Sequence, residues 1–338
     1  MTSTPTTTHA PPASRHSSRR VLRRIGRTLV VLVGLLVILG LVGVGYETAA
    51  EAADTRAYPP PGRLVDVGGY RLHINCMGTG SPTVIIEAGW GDWSASWNSR
   101  VQPEVARTTR VCTYDRAGMG YSDPGPLPRD ARQFATELHT LLQRAAIPGP
   151  YLLAGHSLGG LSVRVFTHMY PADVVGVVLI DSMSPGQATP AAMLPAPQAA
   201  GPPSGLSIAT LPARVGLVRL LAGPLDLASG LAPEVADAYV AFSVTPRHLQ
   251  TTLDEGGAMS ASMAQADAVR TFGDLPLIVL SRGLGADQEW QAMQTQLPQL
   301  STQSRQLFAA QSGHNIQLEQ PEAATAAIVT MVTQLRQP

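Results

Sequence analysis

The 338 residues are 44% hydrophobic and carry 24 basic against 24 acidic side chains, a formal net charge of zero. That balance excludes electrostatic recognition of nucleic acid or acidic polymers as an organising function, so partners have to be sought in discrete sites. The length suits one folded α/β domain behind an N-terminal stretch of different composition.

In chain order, residues 1–28 read as a disordered basic tail: Thr, Pro and Ser dominate up to Ser14, and Arg15, Arg19, Arg20, Arg23, Arg24 and Arg27 follow. Residues 29–46 form an apolar run of 18 residues without a charge, close to what a helix needs to cross a bilayer. The arginine cluster would stay cytoplasmic and send everything after Tyr46 to the other side. Three readings of the run stand: a retained anchor, a signal peptide cleaved near Ala50-Glu51-Ala52, and a buried core helix. Its length favours the anchor, and either of the first two exports the domain. Residues 47–62, ending in Tyr58-Pro59-Pro60-Pro61-Gly62, read as a polar and then Pro-stiffened linker.

From residue 63 onward short β-branched runs alternate with helical stretches. Strands are expected at 63–67, 71–76, 83–87, 110–114, 151–154, 174–181, 275–281 and 305–311, the first two joined as a hairpin at Gly68-Gly69. Such alternation implies a mostly parallel eight-stranded sheet with helices on both faces. Between residues 182 and 274 the alternation stops. A Pro-, Ala- and Gly-rich segment (184–205) is followed by helical patterns at 207–221 and 233–268, too long an excursion for a plain connection. It reads as a helical cap inserted after strand six, over the crevice at the carboxyl ends of the strands.

The chemistry is announced at Gly155-His156-Ser157-Leu158-Gly159, which follows the apolar strand starting at Tyr151 and opens a helix through residues 161–169. Gly-x-Ser-x-Gly between a strand and a helix is the pattern of a nucleophile held on a tight turn, where the glycines let the two backbones approach. Ser157 is therefore the expected nucleophile. His156 reads as a packing residue.

Residues 63–338 resemble the α/β-hydrolase family in its lipase, esterase and haloperoxidase-like branch. Besides the Ser157 turn, the resemblance rests on Glu87-Ala88-Gly89-Trp90 after the third strand and on Asp115-Arg116-Ala117-Gly118-Met119-Gly120-Tyr121-Ser122 after the fourth. It also rests on Gln311-Ser312-Gly313-His314 after the last strand, before a helix at 321–335. Ala88 stands where many members carry His. The resemblance implies an α/β-hydrolase fold, with His314 as general base and the backbone N–H groups of Leu158 and Trp90 as an oxyanion hole. Two aspartates occupy positions from which members of this fold supply the third member of a triad. Asp181 lies at the tip of the sixth strand, and Asp287 lies beyond the seventh, where it equally suits a helix N-cap. Asp115, Arg116 and Ser122 are expected to organise their loop rather than act on substrate. In this fold the strands bearing Cys76 and Cys112 are antiparallel neighbours, which implies a disulfide, with two buried thiols as the alternative. Neither the number nor the spacing of Cys and His suits a metal.

A Ser nucleophile, a His base and backbone donors form an acyl-transfer site, one that needs neither cofactor nor metal. The expected activity is hydrolysis of carboxylic esters of lipids or small molecules through an acyl-enzyme, by a protein attached to the membrane through its N-terminal helix. The alternatives are amide or thioester cleavage, acyl transfer or perhydrolysis at the same site, and a non-catalytic membrane-anchored binding module. Ser157 in place of the Asp nucleophile of haloalkane dehalogenases and epoxide hydrolases argues against those two activities.

Overall fold

A computed structural model describes residues 15–185, 207–224 and 226–337. The tail before Arg15 and most of the Pro-rich segment at 184–205 lie outside the described residues. Helix α1 (Arg15–Ala57) is continuous over 43 residues and includes a portion long and apolar enough to cross a membrane.

Two expectations are corrected by α1. Residues 15–28 are helical rather than disordered, and the expected linker at 47–62 is helix as far as Ala57. The reason is local and tertiary at once. Ala49, Ala50, Glu51, Ala52 and Ala53 are strong helix formers, and Arg219 holds this end of the helix through Glu47 at 2.8 Å and Asp54 at 2.6 Å. The helix stops just before Pro59-Pro60-Pro61, whose rings disfavour helical geometry in the preceding residue.

Eight strands follow: β1 (Arg63–Asp66), β2 (Arg71–Met77), β3 (Thr83–Glu87), β4 (Val111–Tyr114), β5 (Tyr151–His156), β6 (Val174–Ile180), β7 (Leu277–Arg282) and β8 (Ser304–Ala309). They form one sheet in the order β1-β2-β4-β3-β5-β6-β7-β8. β2 runs antiparallel to both of its neighbours and the remaining pairs are parallel. Each strand lies within a few residues of its expected position, and the α/β architecture is the expected one.

The helices are α2 (Ala95–Asn98), α3 (Val101–Ala106), α4 (Ala131–Arg144) and α5 (Leu158–Met169), then α6 (Leu211–Arg214), α7 (Leu217–Leu221), α8 (Pro233–Ser243), α9 (Pro246–Gly257) and α10 (Met259–Asp267). After β7 come α11 (Gln288–Gln296), α12 (Ile316–Glu319) and α13 (Pro321–Leu335). Those from α6 to α10 fall between β6 and β7, where the cap was expected.

The central strands read as near-continuous apolar runs because both of their faces are buried. Alternate residues point to opposite sides. Ile85, Leu153, Val177, Leu179 and Val279 enter the core containing Leu138 and Leu161 of α4 and α5. Their neighbours Val84, Ile86, Leu152, Val178 and Ile278 enter the core containing Val105 of α3 and Ile328 of α13. At about 1.5–3 kcal/mol for each fully buried aliphatic side chain, these two layers dominate what holds the sheet rigid. Cys76 and Cys112 are register partners on β2 and β4 and are joined as a disulfide, with Cα atoms 4.0 Å apart.

Chain direction across the sheet reverses between β3 and β5, so their carboxyl ends open the crevice where ligands bind in open α/β sheets. Residues 88–92 leave β3 at this point, and Ser157 leaves β5.

Candidate active site

Ser157 joins β5 to α5 with φ 52° and ψ −119°, a conformation that a residue with a side chain seldom adopts. The flanking glycines make the turn possible. A Cβ on Gly155 would stand 2.6 Å from the Gly159 carbonyl oxygen, and one on Gly159 would stand 2.4 Å from that of Glu87. Strand, helix and the end of β3 meet here at backbone distance, leaving the Ser157 side chain at the crevice.

His314 reaches this serine from the loop after β8. Its Nε2 lies 3.0 Å from Ser157 Oγ, and its Nδ1 lies 2.6 Å from Asp181 Oδ2. An ionised carboxylate only accepts, so Nδ1 carries the proton and the Nε2 lone pair faces the serine hydroxyl. Asp181 sits at the end of β6 with φ 39° and is fully buried. Its Oδ1 accepts from the Arg282 backbone N–H and from Trp290 Nε1, each at 3.0 Å. Asp287 is placed otherwise. It caps α11, accepting from the Trp290 backbone N–H at 2.8 Å. The two aspartates thus meet through one residue, because the helix that Asp287 caps delivers the indole that orients Asp181.

His156 stands behind His314, with ring centroids 4.8 Å apart. Its Nε2–H donates to the His314 carbonyl at 2.9 Å. Burial pushes its pKa down to about 3, so the ring is neutral. The expectation of a packing residue omitted this hydrogen bond.

The loop after β3 passes close to the serine, since a Cβ on Gly89 would lie 3.3 Å from Ser157 Cβ. Three of its carbonyls are held by side-chain donors. Arg116 donates to the oxygens of Ala88 at 2.7 Å and Gly89 at 2.6 Å, and His248 Nε2 donates to that of Gly91 at 3.0 Å. Trp90 donates its indole N–H to the Thr252 carbonyl at 2.7 Å. The backbone N–H groups of Trp90 and of Leu158, the first residue of α5, make no protein hydrogen bond among the described residues.

Arg116 is buried between two carboxylates, Glu255 at 2.7 Å and Glu87 at 3.1 Å. Burial opposes its charge, but the two glutamates hold the guanidinium ionised. Tyr114 donates its hydroxyl to the same Glu87. His248, Thr252 and Glu255 lie at positions i, i+4 and i+7 of α9, one face of a helix, and all engage residues 88–91 or the arginine that clamps them. Asp115 and Ser122 tie their loop together, the first accepting from the N–H groups of Ser94 and Tyr121 and the second donating to the Asp115 carbonyl. Sequence reading missed Glu255, His248 and Thr252, which belong to no motif, and gave Glu87, within the segment after the third strand, no role of its own.

The model of the Alpha/beta hydrolase family matches residues 78–328. The chain belongs to the alpha/beta hydrolase family. Within reach of this alpha/beta hydrolase in sequence is the Bacillus subtilis (strain 168) protein YqjL, 26% identical over 259 residues, 74% of this chain and 83% of the relative. Higher identity, 36%, is confined to 127 residues shared with the Hormonema carpetanum protein "Probable transporter efuK", of which the match spans 18%. Two solved structures, the epoxide hydrolase CorEH and an esterase from Thermogutta terrifontis, share the fold of this alpha/beta hydrolase with TM-scores of 0.60 and 0.59. Each is 19% identical, and each match covers 81% of this chain and 99% of the other.

Proposed function

We propose that this alpha/beta hydrolase cleaves carboxylic esters through an acyl-enzyme and is held at a membrane by α1. The observation that carries the reading is the hydrogen-bonded series Ser157, His314 and Asp181, at 3.0 and 2.6 Å, beside two backbone N–H groups unengaged among the described residues. In the proposed reaction the Ser157 hydroxyl adds to the ester carbonyl carbon while its proton moves to His314 Nε2. Asp181 keeps the imidazole in the required tautomer and stabilises the imidazolium. The N–H groups of Leu158 and Trp90 stabilise the oxyanion, and His314 then returns the proton to the departing alkoxide. Water repeats the sequence on the acyl-enzyme, releasing the acid.

Membrane attachment is supported by the apolar portion of α1 and the arginines before it. With that cluster cytoplasmic, the domain lies outside. The Cys76–Cys112 disulfide suits that oxidising side.

The test is turnover of p-nitrophenyl esters of graded acyl length by full-length protein in detergent, with fluorophosphonate labelling alongside. Ser157→Ala is expected to abolish labelling and to lower kcat by several orders of magnitude. Retention of even a tenth of wild-type kcat by Ser157→Ala would remove this serine from the mechanism. Folded wild type that neither turns over nor labels would favour a binding module on the same fold.

A further inference from the structure

The chain from Ser207 to Ala222 has its amphipathicity inverted. Thr210, Ala213 and Ala222 are buried, while Ile208 is 90% exposed, Leu220 is 65% exposed, and Leu211, Leu217 and Leu221 are about half exposed. A surface helix of a water-soluble domain does the opposite, turning its large apolar residues inward. Large apolar residues exposed in such number along one short segment mark a contact surface.

Its position in the fold identifies the occupant. α6 packs alongside α1, and the turn between α6 and α7 touches α1 at backbone distance. A Cβ on Gly43 would meet the Val215 carbonyl oxygen at 2.5 Å, and one on Gly216 would meet the Tyr46 ring at 2.5 Å. Gly43 and Tyr46 belong to the last turn of the apolar run at 29–46. Arg219 then pairs with Glu47, the first charged residue after that run. The exposed leucines therefore begin at the level where α1 leaves the hydrocarbon, and they are tied to it by an ion pair rather than by a mobile linker.

We propose that the outward face of α6 and α7, formed by Leu211, Leu217 and Leu220 with Ile208 before them, lies in the headgroup–acyl boundary of the bilayer. It is a second membrane contact beside the anchor, of the kind amphipathic interfacial helices make. Two contacts fix the orientation of the domain where one would let it swivel, and they place the cap against the surface from which lipid esters would enter the crevice. The proposal rests on the reading of α1 as a membrane span.

The Cys76–Cys112 disulfide leaves no free thiol among the described residues, so a single introduced cysteine can carry an environment-sensitive fluorophore. Full-length Leu220→Cys, Leu211→Cys, Leu35→Cys and Arg305→Cys, each labelled, are placed in phosphatidylcholine vesicles with and without nitroxide lipids. The label at 35 reports the span, and that at 305, on β8, is the aqueous reference. The labels at 220 and 211 are expected to shift to the blue and lose most of their emission to nitroxides near the headgroups, less to nitroxides deep in the acyl chains. If the label at 35 is quenched by deep nitroxides while those at 220 and 211 match the label at 305, the cap contact is overturned and the span stands. If the label at 35 is itself water-exposed, the span fails and the proposal fails with it.

Discussion

Four donors converge on the Asp181 carboxylate: His314 Nδ1, the Arg282 backbone N–H, Trp290 Nε1 and, at 3.5 Å, Arg282 Nη1. Asp287 accepts at the head of α11 instead. Under the proposed mechanism Asp181→Asn loses the acceptor that selects the His314 tautomer, and kcat is expected to fall on the order of 10⁴-fold with little change in thermal midpoint. Asp287→Ala is expected to cost about 1 kcal/mol of stability through the lost cap and to leave kcat within a few-fold. Measuring kcat and the melting midpoint of both variants separates the roles, and comparable kcat losses in the two would contradict this division. A second residue-level expectation concerns pH. Burial holds His248 down to about 4, against about 6.5 for an unfolded chain. Between those values the unfolded state binds the extra proton, so this contribution to stability is complete above about pH 6.5 and is lost as pH falls towards 4. The loss is about 1.4 kcal/mol per pH unit within the window. Glu87 and Asp92, pushed up by burial, act in the opposite sense at low pH, so the useful quantity is a difference between proteins. His248→Gln, which can still donate to Gly91, should show a shallower acid limb than wild type in denaturant titrations from pH 7 to 4. Parallel limbs would mean that His248 is not held neutral.

At the scale of elements, α9 is the piece that joins cap to crevice. Thr245 caps it and Pro246 opens it, a start signal readable in the sequence. Which of its faces meets the loop after β3 is not readable there. The Arg116–Glu255 pair spans 139 residues, and no local pattern announces it. Arg116→Met would leave Glu87 and Glu255 buried without their cation, a loss of about 3–5 kcal/mol by the usual cost of breaking a buried pair. The denaturant midpoint should drop accordingly with the slope of the transition unchanged. Glu255→Gln, which keeps a hydrogen-bonding side chain, should lose less. An Arg116→Met protein as stable as wild type would show that the cluster does not hold the cap down. The strands, by contrast, were legible because β3, β5, β6 and β7 are buried on both sides and must be apolar throughout. The elbow was legible because Gly155 and Gly159 have no room for a Cβ.

For the molecule as a whole, α1 runs on to Ala57 and docks on the domain through Arg219, where composition alone put a linker. A chain beginning at Val42 keeps Glu47 and Asp54 on Arg219, whereas one beginning at Tyr58 loses both. The shorter chain is expected to melt lower, by about 2–4 °C for each kcal/mol that docking contributes. Equal midpoints for the two chains in detergent would mean that the docked end of α1 adds nothing to stability. The sequence by itself determined what depends on neighbours along the chain: an apolar run with its arginine flank, eight strands in α/β alternation, and a serine between glycines. Only the tertiary structure decided which aspartate faces His314, what holds the carbonyls of Ala88, Gly89 and Gly91, and where α1 ends. Those outcomes depend on side chains that act on residues 27 to 172 positions away. Backbone propensity and periodicity act over a few residues, and contacts of that range exist only once the sheet has brought its strand ends together.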